Sequence, residues 1–212
     1  MRYALVVWDF DGTLADSLPG VLRIFNDLAP QFGFAPVTDV QALRDTSVAQ
    51  FFKAQGIPFW KLRTLRDAII ARQQDEMGSI RLYPGVPEVL EQIGRSDCRM
   101  GIVSSNAEDN IRTCLRANGV ERWFELVVGY SRLLGKQRGL RRVLRQTALA
   151  GHDVLYIGDE VRDITAAQDV GLDVVAVTWG VNSRSLLAQH SPSQLIDRPE
   201  QLLDWLELET PR

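Results

Sequence analysis

Carboxylates and other polar side chains stand at the ends of several apolar runs in this sequence. Asp9 and Asp11 follow the run that closes at Trp8, and Gly12 comes directly after them. Residues two apart on an extended strand point to the same face, so both carboxylates can address one small molecule without touching each other. Comparable polar residues follow the second and fourth runs or begin the helix before the fourth: Ser104, Asp159, Glu160, Asp163 and Lys136.

A bound cation is needed to bring these carboxylates together. Like charges a few ångströms apart raise each other's pKa and resist ionisation, and Lys136 alone cannot neutralise several of them. All the candidate ligands are oxygens, and both histidines, His152 and His190, lie elsewhere in the sequence. Oxygen ligands without cysteine or histidine favour a hard ion, so Mg²⁺ is the predicted cofactor.

Phosphate is the substrate group that this arrangement predicts. A Mg²⁺ ion held by few protein ligands is typically completed by phosphate oxygens of the substrate. Backbone N–H groups can bind phosphate at the tight turn of Gly12 and Thr13, and near Ser104, Ser105 and Asn106, where a helix is predicted to begin. The predicted reaction class is therefore phosphoryl transfer.

Composition argues against several other classes of protein. The 212 residues carry 24 Lys+Arg against 27 Asp+Glu, so the broad basic surface of a nucleic-acid-binding protein is not expected. The apolar runs are far shorter than the roughly 20 residues of a membrane-spanning helix, and no secretory signal is recognised. A cytoplasmic location is predicted, in which Cys98 and Cys114 remain small buried thiols.

The alternation of apolar runs with helical segments predicts the fold class. The runs are continuous in hydrophobicity, which is typical of strands buried on both faces of a parallel sheet. They cover Leu5–Trp8, Met100–Val103, Leu126–Val128, Val154–Ile157 and Val174–Val177. Helices are predicted over residues 106–118, 136–150 and 164–170, each followed by a capping glycine. The predicted fold is α/β, a Rossmann-like doubly wound parallel sheet.

One long stretch breaks this alternation. Between residues 18 and 81 no segment has strand character, and apolar residues recur at helical spacing. The predicted organisation is a core of residues 1–16 and 82–212 with a small helical cap domain over residues 17–81. Asp16 and Ser17 are expected to form the hinge into this cap rather than to take part in chemistry.

Four segments of the chain resemble the motifs of a known superfamily. In order they are "DFDGTLADS", "GIVSSN", "GKQRGLRRVL" and "YIGDEVRD", and they are similar to the four motifs of the haloacid dehalogenase-like hydrolases. Their spacing resembles the phosphoglycolate phosphatase-like branch, in which a small helical cap follows the first motif. The resemblance covers nearly the whole chain. It implies a Mg²⁺-dependent phosphatase that hydrolyses a small phosphorylated metabolite, such as a phosphoglycolate-like monoester, through an aspartyl-phosphate intermediate.

The resemblance also implies a role for each motif residue. Asp9 matches the nucleophile, and Asp11 matches the general acid/base, whose backbone carbonyl also binds the metal. Ser104 matches the hydroxyl that donates to a phosphoryl oxygen, and Lys136 matches the lysine that neutralises the nucleophile. The predicted metal residues are Asp9, Asp11, Asp159 and Asp163.

Four further residues receive narrower expectations. Asp163 is expected to orient the metal ligand beside it, and Glu160 is either a water-mediated metal contact or a solvated side chain. The hydroxyl of Thr13 is expected to stabilise its turn. Arg44 lies in a segment that resembles the cap loop facing the active site, and it is predicted to hold a substrate carboxylate or second phosphate. The predicted substrate-binding residues are Gly12, Thr13, Ser105, Asn106 and Arg44.

Two other functions are consistent with the same residues. A sugar phosphomutase of the same branch would use the same core, with a cap that admits a bisphosphate in two orientations. A non-catalytic phospho-accepting or regulatory module also combines aspartates, Mg²⁺ and a lysine on a parallel sheet. The helical insert and Asp11 argue against that module, because a water-activating acid would shorten the life of a phosphoaspartate. Dehalogenation is disfavoured because it needs neither Asp11 nor a metal. The sequence does not specify the oligomeric state.

Overall fold

The computed structural model describes residues 2–129 and 135–208. Met1, residues 130–134 and residues 209–212, which the predicted core range includes, lie outside the described residues. Within the described ranges, no helix has both the length and the apolar character that crossing a membrane requires.

A single parallel sheet forms the centre of the molecule. Its strand order is β3-β2-β1-β4-β5-β6, and every neighbouring pair is parallel. The strands in the described residues are β1 (Leu5–Trp8), β2 (Arg99–Ser104), β3 (Leu126–Gly129), β4 (Val154–Gly158), β5 (Asp173–Val177) and β6 (Gln194–Ile196). The five predicted strands are confirmed. β6 escaped prediction because it is a three-residue edge strand whose first side chain is exposed, so it carries little hydrophobic pattern.

Helices cover both faces of this sheet. Within the described residues they are α1 (Leu18–Phe32), α2 (Val40–Arg44), α3 (Val48–Ala54), α4 (Phe59–Gln73), α5 (Val86–Gly94), α6 (Glu108–Ala117), α7 (Lys136–Thr147), α8 (Val161–Gln168), α9 (Arg184–Ala188) and α10 (Gln201–Trp205). Val6 and Trp8 of β1 pack with α5, α6 and α10, whereas Leu5 and Val7 pack with α7, α8 and α9. Alternate residues of one strand therefore enter two separate cores, which explains its continuous hydrophobicity.

Some predicted helix ends differ from the observed ones. Gly119 and Gly171 have positive φ just beyond α6 and α8, as expected for glycines that follow a helix. The prediction for Gly151 is wrong, since α7 already ends at Thr147 and Ala148 takes the left-handed conformation with φ 56°. Alanine adopts this conformation only at an energetic cost, so the residue type at position 148 does not indicate that the helix ends there.

Among the described residues, helices are the only regular secondary structure of the insert between β1 and α5, as predicted. Residues 18–81 contain α1 to α4 and a short 3-10 turn over Gln74–Glu76, and no strand. Their apolar side chains form a third hydrophobic cluster, in which the rings of Phe25 and Phe34 stack with centroids 4.3 Å apart. The chain enters and leaves the insert side by side, through an antiparallel bridge between Ala15 and Leu82.

Candidate active site

The central strands bring the predicted residues to one edge of the sheet. Asp9 directly follows β1, Ser104 ends β2, and Asp159 directly follows β4. Because β1 lies between β2 and β4, these three residues are neighbours at the carboxyl edge, where ligands bind in open α/β sheets. Lys136, the first residue of α7, reaches the same edge.

Three buried carboxylates and one buried ammonium form the centre of this site. Asp9, Asp159 and Asp163 each offer an oxygen atom within 4.8 Å of the others. The Nζ of Lys136 lies 2.5 Å from Oδ2 of Asp9 and also contacts Oδ1 of Asp163. The backbone N–H of Phe10 donates to the other oxygen of Asp9 at 2.8 Å. Both carboxylate oxygens of Asp9, the candidate nucleophile, therefore accept hydrogen bonds from the protein.

Burial, together with the nearby negative charges, raises the pKa of two of these acids. Burial raises the pKa of Asp9 to about 7, against the attraction of Lys136, and the nearby Asp163 adds to the rise. Burial also raises the pKa of Asp159 well above its usual range, with the charges of Glu160, Asp163 and Asp9 adding to the effect. A cation placed among these oxygens would relieve this cost.

Neutral donors orient the carboxylate of Asp159. The hydroxyl of Thr13 donates to Oδ1 at 2.6 Å, and the backbone N–H of Val181 donates to Oδ2 at 2.7 Å. Thr13 was expected to stabilise its own turn. Its hydroxyl instead donates to the carboxylate of Asp159, on the other side of the site. Asp163 accepts the backbone N–H groups of Asp159 and Glu160 at 3.0 and 2.9 Å, so it holds the loop that carries Asp159.

Gly12 is required by this close packing. Its φ of +81° is a left-handed conformation, and a Cβ at this position would lie 2.3 Å from Oδ2 of Asp159. Gly180 approaches the same aspartate from the opposite loop, where a Cβ would lie 2.3 Å from Cβ of Asp159. Both glycines let backbone pack directly against a candidate metal ligand.

Asp11 occupies a different environment from Asp9. Its Oδ1 accepts the hydroxyl of Ser17 at 2.6 Å and, more weakly, the amide of Gln73 at 3.4 Å. Its Oδ2 accepts the amide of Asn106 at 2.9 Å. Asp11 is thus oriented by the core residue Asn106 and by two residues of the insert. Its predicted metal contact through the backbone carbonyl remains a prediction.

Ser17 and Gln73 were not predicted as site residues. Ser17 is the N-cap residue of α1, yet its hydroxyl makes no capping bond and is turned toward Asp11. Because Ser17 is the last residue of the first motif, the sequence offered a reason to expect it near Asp11. Gln73 is buried at the end of α4, and nothing in the sequence near it distinguishes it from other polar residues of that helix.

The second motif contains Ser104, Ser105 and Asn106, of which Asn106 contacts Asp11. Ser104 is buried, and its Oγ accepts the backbone N–H of Asn106 at 3.2 Å. Ser105 and Asn106 line the cavity described below. The helix here begins at Glu108, two residues later than predicted, so the motif forms the loop that precedes it.

Arg44 is brought to the site by contacts between the insert and the core. Its guanidinium donates to the carbonyls of Gly180 and Thr178 at 2.6 and 2.8 Å. In return the backbone carbonyl of Arg44 accepts the N–H of Ser183 at 2.8 Å. Arg44 therefore fastens the insert to the loop that packs on Asp159, and a direct contact with substrate remains a prediction.

Two alternatives were predicted for Glu160, and the solvated side chain is wrong. The water-mediated metal contact remains a prediction. The residue is buried, and its carboxylate pairs with Arg162 at 2.5 Å. Its charge still acts on Asp159, whose pKa it helps to raise.

A cavity of about 570 Å³ lies between the insert and the sheet edge. Asp11, Ser105 and Asn106 line its core side, and residues of α1, α3 and α4 line the other. A bound molecule can therefore contact the candidate acid/base at one end and the insert at the other.

Comparison with known proteins places the chain in a family. Residues 6–177 match the model of the haloacid dehalogenase-like hydrolases. A protein named phosphoglycolate phosphatase from Synechococcus elongatus is 36% identical over 93% of this chain and 94% of its own. An N-acetylmuramic acid 6-phosphate phosphatase from Pseudomonas aeruginosa is 27% identical over 98% of this chain and 96% of its own.

Solved structures agree on the fold. The crystal structure of a predicted phosphatase from Clostridium acetobutylicum superimposes with a TM-score of 0.85, covering 98% of this chain and all of the other at 20% identity. The carboxylate cluster, the order of the four motifs and these matches lead to the same assignment. The chain belongs to the haloacid dehalogenase-like hydrolases, in the phosphoglycolate phosphatase-like branch.

Proposed function

We propose that the protein is a Mg²⁺-dependent phosphatase that hydrolyses a small organic phosphomonoester through an aspartyl-phosphate on Asp9. The observation that carries the proposal is the buried cluster in which Lys136 contacts Asp9 and Asp163 beside Asp159. Relatives named as phosphatases support it. Phosphoglycolate heads the substrates to test, because it is named for the 36% identical relative.

The donor set fits Mg²⁺. Asp9, Asp159 and Asp163 each offer a carboxylate oxygen, and the group contains neither histidine nor cysteine. Burial raises the pKa of Asp159, and the charges of Glu160, Asp163 and Asp9 add to the rise, so a cation bound here would favour the ionised form. When bound, Mg²⁺ would neutralise charge on the phosphoryl oxygens and the attacking carboxylate.

In the first step, Asp9 is the nucleophile. A carboxylate oxygen of Asp9 attacks phosphorus, and the ester P–O bond breaks. Asp11, in its protonated form, gives its proton to the departing oxygen, so an alcohol leaves and the aspartyl-phosphate remains.

In the second step, Asp11 acts as the base. Its carboxylate takes a proton from a water molecule, whose oxygen attacks phosphorus and breaks the bond to Asp9. Inorganic phosphate is released, Asp9 returns as a carboxylate, and Asp11 is again protonated for the next turnover. The donors from Ser17 and Asn106 keep Asp11 aimed at one place through both steps.

The remaining residues position charge. Lys136 contacts the nucleophile and can stabilise the transferring phosphoryl group, and the hydroxyl of Ser104 with the amides of Ser105 and Asn106 can donate to its oxygens. Residues 17–81 are proposed to act as a cap that excludes water from the first step, through the contacts of Arg44 and Gln73 with the core.

The test is phosphate release from phosphoglycolate and 4-nitrophenyl phosphate, with Mg²⁺ and with EDTA. Asp9→Asn should abolish turnover, whereas Asp97→Asn, at an exposed carboxylate, should not change it. Asp11→Asn should accumulate a hydroxylamine-labile phosphoprotein from 4-nitrophenyl phosphate, because its second step is blocked. Mg²⁺-dependent turnover by Asp9→Asn would refute the mechanism. Isomerisation of a hexose phosphate without phosphate release would select the mutase instead.

A further inference from the structure

The cavity above Asp11 is larger than a two-carbon leaving group requires. Its volume is about 570 Å³, within the range of about 300–1,000 Å³ found for pockets that bury drug-sized molecules. Because Asp11 must protonate the leaving oxygen, the leaving group extends from Asp11 into this cavity.

The wall opposite Asp11 is apolar. Side chains from three helices of the insert form it: Leu22, Phe25, Phe51, Phe52, Leu62 and Ile69. The ring of Phe51 lies 5.4 Å from those of Phe25 and Phe52, centroid to centroid. Such aromatic contacts fix the position of the wall. Several of these side chains are only half-buried, so apolar surface faces the cavity.

Three charged side chains of the cavity lining bind other parts of the protein, although Nη1 of Arg66 and Oε2 of Glu160 have no hydrogen-bond partner among the described residues and are buried from solvent. Arg44 donates to two backbone carbonyls, Arg66 pairs with Asp67 at 2.5 Å, and Glu160 pairs with Arg162. A carboxylate or several hydroxyls on the leaving group would give up water without gaining matched partners along this wall, which is unfavourable.

We propose that the preferred substrates are phosphomonoesters whose leaving group has an apolar alkyl or aryl body longer than two carbons. This inference rests on the proposed phosphatase activity and narrows its substrate class. The phosphate lies near Ser105 and Asn106, and the apolar body lies against Phe51 and its neighbours.

A series of n-alkyl phosphates from ethyl to octyl tests the proposal. The leaving alcohols have nearly the same acidity, so a trend in kcat/KM reports burial of the chain rather than its chemistry. Full burial of one methylene corresponds to about a fourfold rise in kcat/KM. At least a twofold rise per methylene is expected until the cavity is filled, with hexyl phosphate exceeding phosphoglycolate. A flat series, or a preference for phosphoglycolate, would overturn the inference.

Two variants show whether the wall causes the trend. Phe51→Ala should reduce the rise per methylene and Phe51→Leu should keep most of it, with folding checked by thermal unfolding. Phe59→Ala is the matched control, since that ring is 77% exposed and lies outside the cavity lining. An equal loss in the Phe59 variant would contradict the assignment.

Two further substrates separate the possible failures. Methyl phosphate is a phosphomonoester that needs no apolar pocket, so resistance of methyl phosphate and of every other ester in the series to hydrolysis would refute the proposed phosphatase itself. A preference for an ω-carboxyalkyl phosphate over the alkyl phosphate of equal length would place an anion receptor at the far end, with Arg66 as its residue, and would overturn the apolar assignment.

Discussion

Replacing Asp9 with asparagine should stabilise the metal-free protein at alkaline pH. Burial raises the pKa of Asp9 from 3.8 to about 7. An acid whose pKa is raised by folding binds its proton more tightly in the folded state, so it contributes stability at low pH and loses it as the pH rises toward 7. Asparagine is neutral at every pH and similar in shape to the protonated acid.

The size of this effect follows from the shift. Because the pKa of Asp9 rises by about three, the free energy of unfolding should fall by about 4 kcal/mol as the pH is raised from below 4 to 8. More than half of it falls between pH 5 and pH 8, because the unfolded carboxylate is already ionised at pH 5 while the folded one is not. This is a large fraction of the roughly 5–15 kcal/mol by which domains are stable.

Urea unfolding in EDTA at pH 5 and pH 8 measures this effect. The wild type should lose more stability between these values than Asp9→Asn does, and the variant should be the more stable protein at pH 8. Asp173→Asn is the control, because hydrogen bonds from Tyr3 and Ser193 lower the pKa of Asp173, which is therefore ionised in both folded and unfolded protein at pH 5 and at pH 8. This variant should be less stable than the wild type at both pH values and should keep the pH dependence of the wild type between them. Equal pH dependence of wild type and Asp9→Asn, or a less stable Asp9→Asn at pH 8, would refute the reasoning.

Three substitutions, one of them with a control, test other parts of the site. Lys136→Met removes the ammonium that contacts the nucleophile, so kcat with 4-nitrophenyl phosphate should fall about 10²–10³-fold, and an unchanged kcat would argue against its role. Gly12→Ala places a Cβ 2.3 Å from a carboxylate oxygen of the cluster and should raise the Mg²⁺ concentration for half-maximal binding at least tenfold in calorimetry. Gly33→Ala has a similar φ but open space, and it should leave that concentration unchanged. Ser17→Ala removes the 2.6 Å donor to the general acid, so kcat should fall about tenfold for an alkyl phosphate and less for 4-nitrophenyl phosphate, whose leaving group needs little protonation; equal losses would point to a purely structural role.

The predicted fold was confirmed where local pattern was strong. β1, β2 and β4 are continuous apolar runs because both of their faces are buried, and that pattern is readable without knowing the partners. Helix ends were less predictable, as Ala148 shows. Its left-handed conformation ends α7, although local preference favours a glycine there.

The candidate site divides in the same way. Asp9 and Asp159 were predictable because each follows a strand directly, and parallel strands end at one edge. The partners of these residues were not predictable, since Thr13 and Asp159 are 146 positions apart and Arg44 and Gly180 are 136 apart. No periodic pattern records such a pair.

The α/β class, the helical insert and the set of acids, lysine and serine that meet at the sheet edge could all be predicted without the structure. Those follow from residue types and from spacing along the chain, which act locally. The tertiary structure decided what each side chain touches: Ser17 and Gln73 reach Asp11, and Arg44 binds backbone carbonyls of the core. It also decided that the wall facing Asp11 is apolar, because a cavity between two packed units depends on how their surfaces meet.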